Sequence, residues 1–289
     1  MDSFMKAVEL LPEHLKKHAN GLKDKQVEEF RLRVGQHPTA VIAGEENDLS
    51  QALINVQDIW RCLEKATNAS LHSASSQLRS GYVCYCGLRI GVCGTASVQN
   101  GEIIGFKSYT SLAIRIPREH RGVCDRAYRD LFNKEIDNTL VIAPPGGGKT
   151  TALREIIRKL SNEGKRVSLV DERNEIAAFY MGQAQFDVGS HTDILTGIDK
   201  SQAAIMLLRG MNPQIVAMDE ITKAEDIDTI RDFHGCGVKI LATAHASDIN
   251  DMNGRRLYRE LLQAEIFKNI LKIKSNYGTR TYEVKKLCT

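Results

Sequence analysis

A run of three glycines, a lysine and two threonines limits the fold of this chain more than any other feature of its sequence. The segment reads APPGGGKTT over residues 143–151. It follows the apolar run NTLVIA and opens a segment with helical character. A glycine-rich turn between a strand and a helix presents backbone N–H groups to phosphate, and the helix N-terminus adds positive charge. The segment therefore predicts a phosphate-binding loop, with Ala143 in the place of the usual first glycine.

The residues of this loop predict which ligand it holds. In such loops the lysine reaches the β- and γ-phosphates of ATP, and the hydroxyl that follows it ligates Mg²⁺. Lys149 and Thr150 occupy these two positions. A glycine turn without a ligand is the alternative interpretation. The predicted cofactors are ATP and Mg, and the predicted nucleotide-binding residues are Pro145, Gly146, Gly147, Gly148, Lys149, Thr150 and Thr151.

A pair of carboxylates ends a second apolar run about 70 residues downstream. The run is QIVAM, and Asp219 and Glu220 follow it directly. Ligands of parallel sheets bind at the carboxyl ends of the strands, which is where this pair is expected to lie. One of the two acids would hold Mg²⁺ through water, and the other would polarise the attacking water. The sequence leaves open which acid has which role.

Two more apolar runs end in groups that can take part in hydrolysis. DERNE over residues 171–175 supplies Glu172 and Glu175. These acids could activate water, or they could follow a helix N-cap and interact with the helix dipole. TAH over residues 243–245 supplies His245. This histidine could sense the γ-phosphate or have a structural role. With Glu220, these three are the candidate catalytic residues of this part of the chain.

The order of apolar and helical segments predicts the domain organisation. From residue 138 to residue 289, short apolar runs alternate with helices that begin near Lys149, Lys200 and Lys223, a pattern typical of a parallel sheet covered on both faces. The basic, alternating segment over residues 266–286 predicts a hairpin with solvated lysines. Residues 1–110, with a helix over 56–78, predict a small α/β domain. Residues 111–137 would be a linker and a helix.

The composition of the chain argues against several classes of function. The net charge is only +3, without the basic excess of a dedicated nucleic-acid binder. No stretch approaches the ~18 apolar residues that cross a bilayer, so no direct membrane insertion is expected. The N-terminal segment MDSFMKAVELLPEHLKK has no uninterrupted apolar core and does not resemble a signal peptide. Seven cysteines, an odd number, favour a cytoplasmic protein with reduced thiols. The CxC spacing of VCYCG does not favour a metal site.

The four motifs in this order resemble the secretion ATPase superfamily of type II and type IV secretion and pilus motors. They are APPGGGKT, DERNE, LRGMNPQIVAMDE and TAHAS. Asp219 departs from that pattern, since many of these ATPases have glycine before the glutamate. Within the superfamily the chain is more similar to the family of stage III sporulation AA proteins. The segments that carry this similarity are DVGSHTDILTGIDKSQAAIMLLRGMNP, APPGGGKTTALRE, GYVCYCGLRIGVCG and SLAIRIPRE.

The resemblance implies an α/β chain with a RecA-like P-loop ATPase domain and a smaller N-terminal α/β domain. It also implies an ATP-hydrolysing motor that forms a hexameric ring, with ATP at the subunit boundary. Arg115 and Arg118 would approach the neighbour's phosphates, or else belong to a solvated linker; Arg209 is a further candidate. The implied partners are small membrane proteins of a sporulation channel complex, to which a cytoplasmic protein is recruited peripherally. A RecA-like nucleic-acid motor and a slow nucleotide-gated scaffold are the alternatives.

Overall fold

The chain divides into two units, Met1–Arg118 and Glu119–Thr289. A computed structural model describes residues 2–70, 74–117, 119–133, 135–276 and 279–287. The boundary between the two units falls inside the segment 111–137, which was predicted to be a separate linker and helix. A strand of the first unit continues to Arg115, and the helix Asp125–Phe132 lies in the second unit.

The first unit contains an antiparallel sheet with one buried face. Alternation along its first strand explains the burial, because Phe30 and Leu32 are fully buried while Arg31 and Arg33 point to the other face. The strand order is β3-β2-β1-β6-β5-β4. The elements of this unit are α1 Ser3–Leu10, α2 Glu13–Asn20, β1 Val27–Arg33, β2 Thr39–Ile42, β3 Glu45–Asp48, α3 Val56–Ala66, α4 Ser75–Arg79, β4 Tyr82–Tyr85, β5 Leu88–Gln99 and β6 Glu102–Arg115.

The helix predicted over residues 56–78 is wrong in its length. Helix α3 begins at a capping box. The side chain of Asn55 accepts a hydrogen bond from the backbone N–H of Asp58. The helix ends at Ala66, and Asn68 and Ala69 then adopt positive φ angles of 50° and 58°. That conformation cannot continue a right-handed helix. Residues 71–73 of the predicted helix lie outside the described residues, and α4 follows them.

The second unit contains the predicted parallel sheet. The strand order is β13-β12-β7-β11-β10-β8-β9, and the six strands from β12 to β9 in this order run parallel to one another. The four strands expected from the apolar runs are confirmed, whereas β9, which is only half buried, was not predicted. The elements are α5 Asp125–Phe132, β7 Thr139–Ala143, α6 Lys149–Asn162, β8 Val167–Asp171, β9 Thr192–Thr196, α7 Lys200–Gly210, β10 Ile215–Glu220, α8 Ala224–Gly235, β11 Lys239–His245, α9 Ile249–Gly254, α10 Arg256–Gln263, β12 Asn269–Asn276 and β13 Thr279–Lys286.

Both faces of this sheet are buried. Along β7, Leu140 and Ile142 pack with apolar residues of α7, α8 and α10, while Val141 and Ala143 pack with those of α5 and α6. Successive residues of a strand point to opposite faces, so each face contributes to a separate hydrophobic core. This arrangement leaves the carboxyl ends of β7, β10 and β11 side by side, at the point where each strand passes into a loop.

The predicted hairpin is confirmed, and it extends the parallel sheet. Strand β12 lies directly beside β7, with Ile270, Leu271 and Ile273 almost fully buried. Strand β13 pairs antiparallel with β12 and forms the edge. Two of the hairpin lysines, predicted to be solvated, form ion pairs, Lys272 with Asp248 and Lys274 with Glu283. Within the described ranges, no helix combines the length and apolar character needed to cross a bilayer.

Candidate active site

A cavity of about 410 Å³ opens at the carboxyl ends of β7, β10 and β11. The phosphate loop forms one wall, and the acidic and histidine ends of β10 and β11 form another. Residues from four separate sequence motifs therefore meet at one place. The residues that line the cavity are Pro145, Gly146, Gly148, Lys149, Thr150, Thr151, Leu153, Arg173, Glu175, Ile176, Asp219, Glu220, Thr243, His245 and Arg280.

The glycines of the loop are required by its shape. A Cβ atom at Gly147 would lie 2.7 Å from Cβ of Ala143 and 2.9 Å from the carbonyl oxygen of Pro144, so no side chain fits there. Gly148 has a φ angle of 95°, which L-residues with side chains rarely adopt. Helix α6 begins at the next residue. The loop thus turns sharply and directs a helix N-terminus into the cavity, the arrangement that binds phosphate.

Three side chains form a hydrogen-bonded chain across the cavity. Nζ of Lys149 lies 2.5 Å from Nδ1 of His245, and Nε2 of His245 lies 2.9 Å from Oε2 of Glu220. An ammonium group can only donate, so Nδ1 accepts and a neutral imidazole carries its proton on Nε2, which donates to Glu220. Burial lowers the pKa of Lys149, and the charge of Glu220 opposes this effect. The loop lysine, the histidine and the glutamate are therefore connected by direct contacts in this structure.

The second acid of β10 has a different partner. Lys200, which is only 2% exposed, donates a hydrogen bond to Oε2 of Glu172 at 2.7 Å. Its Nζ also lies 2.9 Å from Oδ1 of Asp219. Burial raises the pKa of Asp219 to about 6, although the ammonium of Lys200 beside it lowers that pKa. Lys200 thus contacts both Asp219 and Glu172, and Glu220 is the acid of β10 that contacts His245.

The acidic cluster after β8 separates into three different environments. Asp171 is fully buried and accepts hydrogen bonds from the backbone N–H groups of residues 175, 176 and 177. No helix follows this turn, so the alternative of a helix N-cap is wrong, and Asp171 instead holds the loop. Glu172 contacts Lys200, whereas Glu175 lines the cavity.

The cavity offers oxygen ligands for a magnesium ion bound together with a nucleotide. Thr150 and Asp219 both line it, and Oδ1 of Asp219 also faces the ammonium of Lys200. Oxygen atoms of this kind are the ligands that Mg²⁺ prefers, usually with several waters and substrate phosphates. The described residues contain no cluster of three or more histidine, cysteine, aspartate or glutamate side chains placed to hold a metal alone. The donor set fits an ion that arrives with the nucleotide.

The two arginines predicted to act across a subunit boundary belong to the first unit, whereas the cavity lies in the second. Arg115 ends β6 in the first unit, where its Nε lies 3.2 Å from Oε2 of Glu29. Its side chain remains 64% exposed. Arg118 lies outside the described residues. Arg115 is therefore accessible to another molecule, and its role stays a prediction.

Sequence reasoning missed three cations near the cavity. Lys200 lies in the first turn of α7, where the helix dipole disfavours a positive charge, and this position was an available signal. Arg173 lies within the recognised acidic motif, with Nη1 3.9 Å from Oε2 of Glu220. Arg280 lines the cavity from β13, about 130 residues after the loop. No local pattern distinguishes it from the other basic residues of the hairpin.

Comparison with known proteins identifies the family of this chain. The family model described as sporulation stage III, protein AA matches residues 6–283. The chain belongs to this family. A relative, stage III sporulation protein AA of Bacillus subtilis, is 31% identical over 283 residues, which cover 94% of this chain and 92% of the relative.

Solved structures with low sequence identity share the fold of this stage III sporulation AA family member. The ATPase DotB of Legionella pneumophila is 14% identical with a TM-score of 0.63, covering 95% of this chain and 80% of DotB. The pilus retraction motor PilT, solved with ADP, is 16% identical with a TM-score of 0.66, covering 95% of this chain and 83% of PilT. The predicted RecA-like P-loop fold and the family resemblance are confirmed.

Proposed function

We propose that the chain binds ATP with Mg²⁺ and hydrolyses it to ADP and phosphate as a secretion-type motor. The observation that carries this proposal is the chain of contacts from Lys149 through His245 to Glu220. It connects the cation that binds phosphate with the acid suited to activate water. The phosphate loop, the helix N-terminus and the carboxylates lie around the same cavity, as phosphoryl transfer requires.

The residues act in sequence when the nucleotide enters. Phosphate oxygens attract the ammonium of Lys149 more strongly than a neutral imidazole does, so Lys149 turns away from His245 towards the phosphates. Nδ1 of His245 then becomes available to accept a hydrogen bond from a water molecule beside the γ-phosphate. Oε2 of Glu220 orients the attacking water and accepts its proton. Thr150 and Asp219 would hold Mg²⁺, which would supply positive charge opposite the phosphates.

The biological setting follows the family. We place the chain in a homo-oligomer, a hexameric ring with ATP at the subunit boundary, where Arg115 and Arg118 stabilise the neighbour's transferring phosphate. The partners are small membrane proteins of a sporulation channel complex, which recruit the ring from the cytoplasm. The relative named stage III sporulation protein AA supports the sporulation role, and the ATPase DotB and the motor PilT support a motor.

The first experiment tests the site. Lys149→Ala should abolish ATP hydrolysis while the circular dichroism spectrum is retained, because the phosphates lose the cation of the loop. Lys268→Ala is the matched control, since this lysine is 56% exposed and forms an ion pair with Asp137 at 3.6 Å. Wild-type turnover in the Lys149→Ala variant would contradict the assignment of the phosphate loop.

The second experiment separates the classes of function. We expect the turnover per subunit to rise with protein concentration, because a ring completes the site, and to be unchanged by DNA. A strong stimulation by DNA would indicate a nucleic-acid motor. Tight ATP binding with turnover that stays near the uncatalysed rate at every concentration would indicate a nucleotide-gated scaffold.

A further inference from the structure

The side chain of Arg280 lies across the phosphate loop. A Cβ atom placed on Gly148 would be 3.0 Å from Nε and 3.2 Å from Cζ of Arg280, so the guanidinium group rests directly on the glycine. Arg280 also lines the cavity that contains Lys149 and Thr150. The absence of a side chain at Gly148 therefore serves a second purpose, because it makes room for this arginine.

The register of the hairpin explains why an edge strand reaches the loop. Strand β12 pairs with β7 as far as Lys272, which is opposite Ile142, and then continues to Asn276. Four further residues extend a strand by about 13 Å. Arg280 on β13 is opposite Ser275, within this extension. The hairpin therefore rises above the end of β7 to the level of the phosphate loop and places Arg280 beside it.

The charge of Arg280 has no counterion in the described part of the chain: no hydrogen bond or ion pair joins it to another described residue. The two other cations that line the cavity do have partners, since Lys149 contacts His245 and Arg173 lies 3.9 Å from Glu220. An unpaired guanidinium beside a helix N-terminus is complementary to an anion with several oxygens. Its planar group of N–H donors matches the geometry of phosphate.

We propose that Arg280 binds the phosphates of the nucleotide held by its own subunit. This inference rests on the proposed function, and it adds a binding residue from the same chain to the phosphate loop. Two cations then bind the phosphates, Lys149 of the phosphate loop and Arg280 of the hairpin. Because Arg280 belongs to the same unit as the loop, its contribution to nucleotide affinity does not depend on assembly.

The test measures the affinity of the full-length chain for three probes: ATP, inorganic tripolyphosphate and adenosine. We expect Arg280→Ala to weaken ATP and tripolyphosphate ten- to hundredfold, which corresponds to the loss of charge-assisted hydrogen bonds, and to leave adenosine unchanged. Arg280→Lys should recover part of the loss, because it restores a point charge without the paired donors. Lys274→Ala removes a cation of the same hairpin that forms an ion pair with Glu283, and it should not change any affinity.

The outcomes separate this inference from the proposed function. If Lys149→Ala loses affinity for tripolyphosphate while Arg280→Ala keeps it, the phosphate-binding site is supported and the role of Arg280 is overturned. A loss confined to adenosine would also overturn it, because Arg280 would then contact the base. A wild-type chain that binds neither ATP nor tripolyphosphate refutes both. The side chain of Arg280 is exposed and makes no hydrogen bond to a described residue, so its replacement should not unfold the chain; circular dichroism checks this.

Discussion

Replacing Lys200 by methionine tests the ion network that separates the two acids of β10. Methionine keeps most of the length and apolar character of the side chain and removes its charge. The substitution leaves Asp219, which is only 12% exposed, and the more exposed Glu172 without the cation between them. Removing one partner of a buried ion pair typically costs about 3–5 kcal/mol. We expect a loss of about 3 kcal/mol in the free energy of unfolding at pH 8.

The loss of stability in the Lys200→Met variant should grow as the pH rises. Burial raises the pKa of Asp219 to about 6 from its ordinary 3.8, so the folded state binds this proton more tightly than the unfolded state. The contribution of Asp219 to stability therefore falls as pH rises from about 4 to about 6, by up to about 3 kcal/mol. Without Lys200 the pKa rises further and the fall continues above pH 6. The variant should be less impaired at pH 5 than at pH 8.

The assay is urea unfolding followed by circular dichroism at both pH values. Lys223→Met is the matched control, because Lys223 forms a partly exposed ion pair with Asp199, and ion pairs near the surface contribute at most about 1 kcal/mol. Adding Asp219→Asn to Lys200→Met should recover part of the loss, because it removes the uncompensated charge. A Lys200→Met variant that is no less stable than the control, or equally impaired at both pH values, would refute the reasoning.

Three further predictions concern other parts of the molecule. Glu220→Gln should bind ATP with near wild-type affinity and hydrolyse it about a hundredfold or more slowly, as measured by single-turnover kinetics; unchanged turnover would place the base elsewhere. A double variant with Arg115→Ala and Arg118→Ala, mixed with Lys149→Ala, should recover ATPase activity that neither has alone, and no recovery in an assembled mixture would contradict action across a boundary. Burial raises the pKa of Cys62 to about 12, so iodoacetamide at pH 8 should alkylate exposed Cys236 and spare Cys62, as mass spectrometry can show.

The sequence predicted those parts of the site that depend on local patterns. The loop around Lys149 and the strand ends at Asp219 and His245 are each readable from a few neighbouring residues, because an apolar run fixes a buried strand and the next polar residue marks its end. The parallel sheet then brings these ends together. The fold of the second unit followed from the same patterns.

The remainder of the site depends on contacts between distant segments. Lys200 reads as an ordinary surface lysine until the fold places it between Glu172 and Asp219. The role of Arg280 depends on how far β12 extends past β7, which no local pattern determines. The helix over residues 56–78 was overestimated because the positive φ angle at Asn68 is not encoded by apolar periodicity.

The position of β7 has a consequence for the synthesis of the chain. Both of its neighbours, β11 and β12, emerge from the ribosome after it, and β12 follows about 130 residues later. At roughly 5–20 residues per second, this apolar strand waits on the order of 10 s for its second partner. During that time it offers an unpaired edge to other nascent chains, a hazard that molecular chaperones would have to cover. Substitutions that weaken the hairpin of β12 and β13 should therefore reduce the yield of soluble protein in the cell before they affect its chemistry.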